Sequence, residues 1–144
     1  MSFGGGGMDA ASTRTTSCSC CSSSYDYVVA NPPFSDKAWS TGLTPANDPF
    51  QRFAWGQPPT KQGDYAYLLH IVRSMKSMGK AGCILPHGVL FRGNAEGVIR
   101  QQLVRSGVLK EIIGLPGNLF YGSGIPACIV VLDKETLRRA RACS

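Results

Sequence analysis

Four consecutive residues, Asn31, Pro32, Pro33 and Phe34, close a run of β-branched and small apolar residues in "YDYVVANPPFSDKAW", and their types and order bear on chemistry. Two prolines fix φ at successive positions and remove two N–H donors, so their turn is stiff and its carbonyls face no local competition. Asn31 adds a side-chain carbonyl acceptor beside them. Together these can hold an NH2 group by both hydrogens, while Phe34 offers a flat apolar surface for an aromatic ring. A planar amine is a weak nucleophile because its lone pair is delocalised. Gripping its hydrogens favours a pyramidal nitrogen and stabilises the positive charge that develops as it attacks an electrophilic carbon, the logic of an oxyanion hole with the sign reversed. No strong general base is required. Taken alone, an Asn-Pro-Pro after an apolar run is also a plain strand terminator.

The elements around this turn read as an alternation of strands and helices, the pattern of an α/β fold. "YDYVVA" is a short strand whose near-continuous apolar character suits a sheet covered on both faces. In open α/β sheets ligands sit at the carboxyl ends of strands, which is where Asn31 falls. Residues 35–62 form a long connection rich in proline and glycine with no periodic stretch, a length that tends to be functional in a compact domain. "DYAYLLHIVRSMKSM" begins with Asp64 as an expected N-cap, places Tyr67, Leu68, Ile71, Val72 and Met75 at helical spacing, and has Gly79 near its end. The strand "AGCILP" follows. "NAEGVIRQQLVRSG" is expected to be a helix with Asn94 as cap, Val98, Leu103 and Val104 inward, and Gly107 as stop. "LKEIIGL" and "ACIVVLDK" supply two more strands, with the glycines of "NLFYGSGIP" read as a loop between antiparallel neighbours.

Composition bounds the possibilities. The 144 residues are enough for about one domain, with 43% apolar and 17% charged residues, ordinary for a globular protein. Fifteen Lys and Arg against nine Asp and Glu give +6, which is compatible with a phosphate-bearing partner. Arg52, Lys61 and Arg92 are the candidate DNA-phosphate contacts, with simple solvation as the competing reading. Trp39, Phe50, Phe53 and Trp55 are either a satellite hydrophobic cluster or an aromatic surface that meets DNA. No apolar run approaches the roughly 18 residues of a membrane span and no signal peptide is evident, so the chain reads as cytosolic. Six cysteines, three of them in "SCSCCSSS", lack the paired spacing of a zinc site and are expected to be reduced thiols, with no metal bound. Residues 1–24 are Gly, Ser, Thr and Cys with little that is large and apolar, the composition of a disordered tail. The "FGGGG" within them has the composition of a nucleotide loop but neither the preceding strand nor the following helix that such a loop needs.

Taken together, "YDYVVANPPFSDKAW", "DPFQRFAWGQPPTKQGDYAYLLHIVRSMKSMGKAGCILPHGVLFRGNAEGVIRQQLV" and "LKEIIGLPGNLFYGSGIPACIVVLDK" resemble the catalytic domain of the DNA adenine-N6 methyltransferase, or modification, subunit of type I restriction-modification systems. The resemblance covers about residues 25–135, leaving 136–144 as a basic end. It implies S-adenosylmethionine as methyl donor, an adenine flipped out of duplex DNA, and specificity and restriction subunits as partners. By the same resemblance Asn31 and the Pro32 carbonyl hold the adenine N6 amine, within the turn completed by Pro33, and Phe34 stacks on the base.

Members of that family carry a helical domain and the first strands of the sheet upstream of the turn, with a glycine-rich loop for the methionine end of the cofactor and an acidic residue for its ribose. Only 24 residues precede Tyr25 here, and one strand-helix-strand unit already needs about 30. The expected fold is therefore the C-terminal half of a Rossmann-like S-adenosylmethionine-dependent methyltransferase sheet, from a truncated or frameshifted gene, with no assigned cofactor-binding residues. Removing the first half should leave "YDYVVA" as an exposed hydrophobic edge. Two other readings stand beside methyl transfer to DNA: a remnant acting as a DNA- or partner-binding module, and a methyltransferase for a glutamine side-chain amide. The last uses a similar turn usually followed by tyrosine, so Phe34 argues against it.

Overall fold

The computed structural model describes residues 25–41, 44–48, 51–120 and 124–135; the expected tail 1–24, the basic end 136–144 and Phe50 lie outside the described residues. Among the described residues there are four strands and two α-helices: β1 (Tyr25–Ala30), α1 (Asp64–Ser74), β2 (Met75–Pro86), α2 (Asn94–Ser106), β3 (Leu109–Gly114) and β4 (Ala127–Asp133). The sheet order is β1-β2-β4-β3, with β1 parallel to β2 and the other two pairings antiparallel. Thus β3 and β4 are the antiparallel neighbours expected around "NLFYGSGIP".

Register explains which residues are buried. Val28 and Ala30 pair with Ala81 and Cys83, which pair in turn with Leu132 and Val130, so these side chains share one face of the pleat. That face is the core, joined by Leu68, Leu69, Ile71 and Val72 of α1 and by Ile99 and Leu103 of α2. The opposite face is open among the described residues: Tyr27 and Val29 are 77% and 64% exposed, and Ile113 is exposed. Coverage of both faces, expected from the apolar run of β1, is thus not what the described residues provide. Their two helices feed the same core. Within this sheet β1 is an edge strand, as expected.

Two local expectations need correction. Helix α1 stops at Ser74, four residues before Met78, because Met75 turns extended (φ −73°, ψ 139°) while its N–H still reaches Ile71. The buried Met75 then pairs with Tyr25 and its carbonyl accepts from Lys134 at 2.8 Å, a tertiary pull that no Gly or Pro announces. In α2, Ile99 and Leu103 face inward, whereas Val98 and Val104 are 52% and 59% exposed. The helix is rotated because Glu96 and Arg100 occupy its inner side, where Arg100 caps the Val89 and Arg92 carbonyls at 3.0 and 2.9 Å. Both caps shift by one residue: Gly63 and Gly93 hold the N-cap positions, and Asp64 and Asn94 are the first helical residues. Gly107 does stop α2, in the left-handed conformation at φ 71°.

Candidate active site

The chain leaves the sheet after Ala30 and makes its turn with Asn31 exposed, Pro32 buried, Pro33 exposed and Phe34 half-buried. Among the described residues the Asn31 amide and the Pro32 carbonyl have no hydrogen-bond partner, so both acceptors are unpaired at the carboxyl end of β1. The parallel neighbour β2 ends on the same side, and from there His87 bonds through its N–H to the Pro126 carbonyl at 3.0 Å. Phe120, in the connection from β3 to β4, meets Phe34 edge to face with ring centroids 5.6 Å apart. Phe34 and Phe120 thus put two aromatic rings in contact at this turn. Phe120 was not among the sequence-derived candidates, since nothing in "GNLF" reports a contact with a ring so far away in the chain.

What holds the turn is polar and comes from α1. Ser35 has φ 51°, a conformation that a non-glycine residue adopts only when its surroundings determine it. Its N–H donates to Asp64 Oδ1 at 2.8 Å. Asp64 is fully buried, and its other oxygen accepts from Arg92 at 2.8 Å. Arg92 also lies 3.5 Å from Ser35 Oγ and 3.5 Å from Glu96. A second tether runs through Asp36, whose carboxylate accepts from Tyr67 Oη at 2.7 Å and from the Ala38 N–H at 2.9 Å, while its carbonyl accepts from Gly63 N–H at 2.9 Å.

These contacts shift proton affinities in a consistent way. Burial alone would lower the Arg92 pKa, but Asp64 and Glu96 more than offset it and hold the guanidinium above its ordinary value. Burial, with the Asp64 charge adding to it, raises Glu96 against the opposing pull of Arg92. Tyr67 is raised by burial and by its hydrogen bond to Asp36. Cys83, next to Ala30 in register, is pushed up to about 12 by burial and by Asp64, so its thiol is inert at neutral pH.

The candidate phosphate contacts fall in different settings. Arg52 is engaged by Asp48 through both Nε and Nη2, and Arg92 by Asp64 and Glu96, whereas Lys61 is exposed. Trp39 is fully buried and stacks edge to face on Phe53 at 5.5 Å, with its indole N–H on the Pro59 carbonyl at 3.0 Å, so these two rings belong to the core. Trp55 packs against that core partly buried. Among the described residues no helix is long and apolar enough to cross a membrane, and no three His, Cys, Asp or Glu side chains are grouped to hold a metal ion.

The four-stranded mixed sheet thus carries the Asn-Pro-Pro-Phe turn, with two aromatic rings in contact, at the carboxyl end of β1. The N-6 DNA methylase family matches residues 8–143, past both ends of the 25–135 span, and the chain belongs to that family. It is 34% identical over 114 residues to the type I restriction enzyme MjaIX methylase subunit of Methanocaldococcus jannaschii, covering 77% of this chain and 20% of that protein. It is 35% identical over 115 residues to the type I restriction enzyme HindI methylase subunit of Haemophilus influenzae, covering 79% and 25%. The crystal structure of a type I restriction-modification methyltransferase subunit from Streptococcus thermophilus superposes with a TM-score of 0.69 at 41% identity, over 76% of this chain and 23% of that one. The chain therefore spans about a fifth to a quarter of the length of the relatives it matches.

Proposed function

We propose that this chain is the amine-binding part of a type I DNA adenine-N6 methyltransferase, with adenine in DNA as substrate and S-adenosylmethionine as methyl donor. The observation that carries the reading is the pair of unpartnered acceptors, the Asn31 amide and the Pro32 carbonyl, in the same turn as Phe34, whose ring meets Phe120, at the carboxyl end of β1. Asn31 and Pro32 accept the two N6 hydrogens and draw the nitrogen toward pyramidal geometry, and Phe34 supplies the surface on which the flipped base lies. As the N6 lone pair bonds to the methyl carbon and the broken carbon–sulfur bond leaves its electron pair on sulfur, the same two oxygens would stabilise the charge on nitrogen, and the released proton would pass to solvent. S-adenosylmethionine, when bound, supplies an electrophilic methyl on a sulfonium. Among the described residues a cavity of about 140 Å3, lined by Arg52, Trp55, Arg73 and Lys134, lies at the other end of the sheet from this turn and is small for such a cofactor. On this reading the relatives' greater length leaves room for a cofactor-binding half outside this chain, and type I specificity and restriction subunits are the partners it implies.

The test is methyl transfer from labelled S-adenosylmethionine to unmethylated adenine-containing DNA, with and without a supplied cofactor-binding half, comparing the chain with Asn31→Ala. Transfer that Asn31→Ala abolishes supports the reading. A second reading, a DNA- or partner-binding module without catalysis, draws on the exposed β1 edge with Tyr27 and Val29. Silence from a folded chain in both conditions, with salt-sensitive DNA retention in a gel shift, would favour it.

A further inference from the structure

Pro32 and Pro33 have no N–H, so beyond Asn31 the next backbone donors that can anchor the turn are those of Phe34 and Ser35. Ser35 uses its donor on Asp64, twenty-nine residues later, and sits at φ 51° while doing so. Asp64 cannot drift: it is fully buried at the start of α1, where a carboxylate is favoured by the helix dipole, and Arg92 holds its second oxygen at 2.8 Å. Arg92 is itself fixed, since its guanidinium also meets Ser35 Oγ and Glu96, and its carbonyl is capped by Arg100. Apolar residues of similar volume can often replace a buried ion pair with no loss of stability. Stability alone is therefore a weak reason for a charged pair directly behind this turn.

We propose that Asp64, with its charge compensated by Arg92, is the positioning residue of the site: by holding the Ser35 backbone in the left-handed conformation it sets the direction in which Asn31 and Phe34 face the substrate. The proposal rests on the reading of Asn31–Phe34 as the amine site. Asp64 touches no substrate. It acts through one backbone N–H, and Arg92 acts through Asp64. Truncating either should therefore alter the placement of the acceptors more than the affinity for the methyl donor.

The experiment uses the full chain with the cofactor-binding half supplied, and compares Asn31→Ala, Asp64→Ala, Asp64→Asn and Arg92→Lys. It reads kcat and the KM for S-adenosylmethionine, and separately the amide resonances of Phe34 and Ser35 in the 15N-labelled chain. Asp64→Ala is expected to lower kcat by about 100-fold, the scale of a misplacement near 1 Å, with KM changed less than about threefold. It should also move the Ser35 amide proton upfield as its acceptor disappears. Asp64→Asn keeps a neutral oxygen for that N–H, so it should recover part of kcat and most of the Ser35 shift, and Arg92→Lys should fall between it and wild type. If Asn31→Ala is inactive while folded Asp64→Ala keeps the wild-type kcat, the positioning role is overturned and the amine site stands. If Asn31→Ala is as active as wild type, the amine site itself fails. Should no variant and no wild-type chain transfer methyl, the resonances decide alone: Phe34 and Ser35 signals displaced in Asp64→Ala and largely restored in Asp64→Asn support the tether, and signals unmoved in Asp64→Ala overturn it.

Discussion

Charge gathers at both ends of the sheet, but in different states. At the carboxyl end of β1, a fully buried Asp64 meets Arg92 at 2.8 Å and Ser35 at 2.8 Å. At the other end, Lys80 and Lys110 approach Asp133 at 3.9 and 3.7 Å with their side chains 44% and 52% exposed. The first set cannot exchange its partners for water without opening the fold, so its geometry is enforced. The second is screened, and its ammonium groups can swing into solvent at little expense. The site proposed to hold two acceptors in a fixed direction is thus backed by the rigid kind of electrostatics, while the remote end carries the adaptable kind.

The comparison breaks most readily on stability. Asp64→Ala leaves Arg92 and the Ser35 N–H without their partner in a largely dry setting, and should lower the free energy of unfolding by about 3 kcal/mol in urea titrations. If the loss is within about 0.5 kcal/mol, the carboxyl-end network is no more binding than a surface pair and the contrast fails. Gly63→Ala should come next. A Cβ there would lie 2.8 Å from Trp39 Cβ, and Trp39 is fully buried with its N–H committed to Pro59, so it has nowhere to go. Overpacking of this kind costs about 1–3 kcal/mol. Gly97→Ala is the control: its nearest neighbour would be 3.9 Å away, and removing a mid-helix glycine should stabilise by about 0.5–1 kcal/mol.

The strands, both helices and the Asn-Pro-Pro-Phe turn could be read from local pattern because their signals are local: apolar runs, a 3.6-residue period, two prolines. The parts that were not legible are those decided by a distant partner. Asp64 looked like a helix cap because its position fits one within a residue, yet its carboxylate serves Ser35 and Arg92. Arg92 looked like a solvated or phosphate-facing cation for want of any sequence sign that Asp64 lay opposite. The phase of α2 followed valines in the sequence, while in the fold Glu96 and Arg100 turn inward to meet Arg92 and two carbonyls. Phe120 escaped notice for the same reason: its contact with Phe34 spans most of the described chain.

Glu96 sharpens the contrast through pH. Its pKa is raised in the fold by burial and by the Asp64 charge, so the folded chain holds that proton more tightly than the unfolded one. The associated stability is full below the ordinary carboxylate value near pH 4.3 and is lost as pH rises through the raised folded value. Glu96→Gln removes this dependence. Its stability relative to wild type should therefore improve from pH 4 to pH 7 in chemical denaturation, partly offset by a weaker contact with Arg92. A constant difference across that range would show that Glu96 is solvated in the fold.

The smallest effects are expected at that far end. Lys80 reaches Asp133 and Glu135 only at 3.9 and 3.7 Å, beyond hydrogen-bond geometry, and Lys110 shares the same Asp133 oxygen. Removing one ammonium leaves the other beside Asp133, so Lys80→Ala and Lys110→Ala should each cost less than about 0.5 kcal/mol in low salt. The Debye length falls to about 3 Å at 1 M, shorter than either separation, so these differences should vanish in 1 M salt. The effect of Asp64→Ala should survive there nearly unchanged, because the Asp64 carboxylate itself is fully buried. Equal salt sensitivity at the two ends would mean that water reaches Asp64 and that Ser35 is not held by a dry carboxylate.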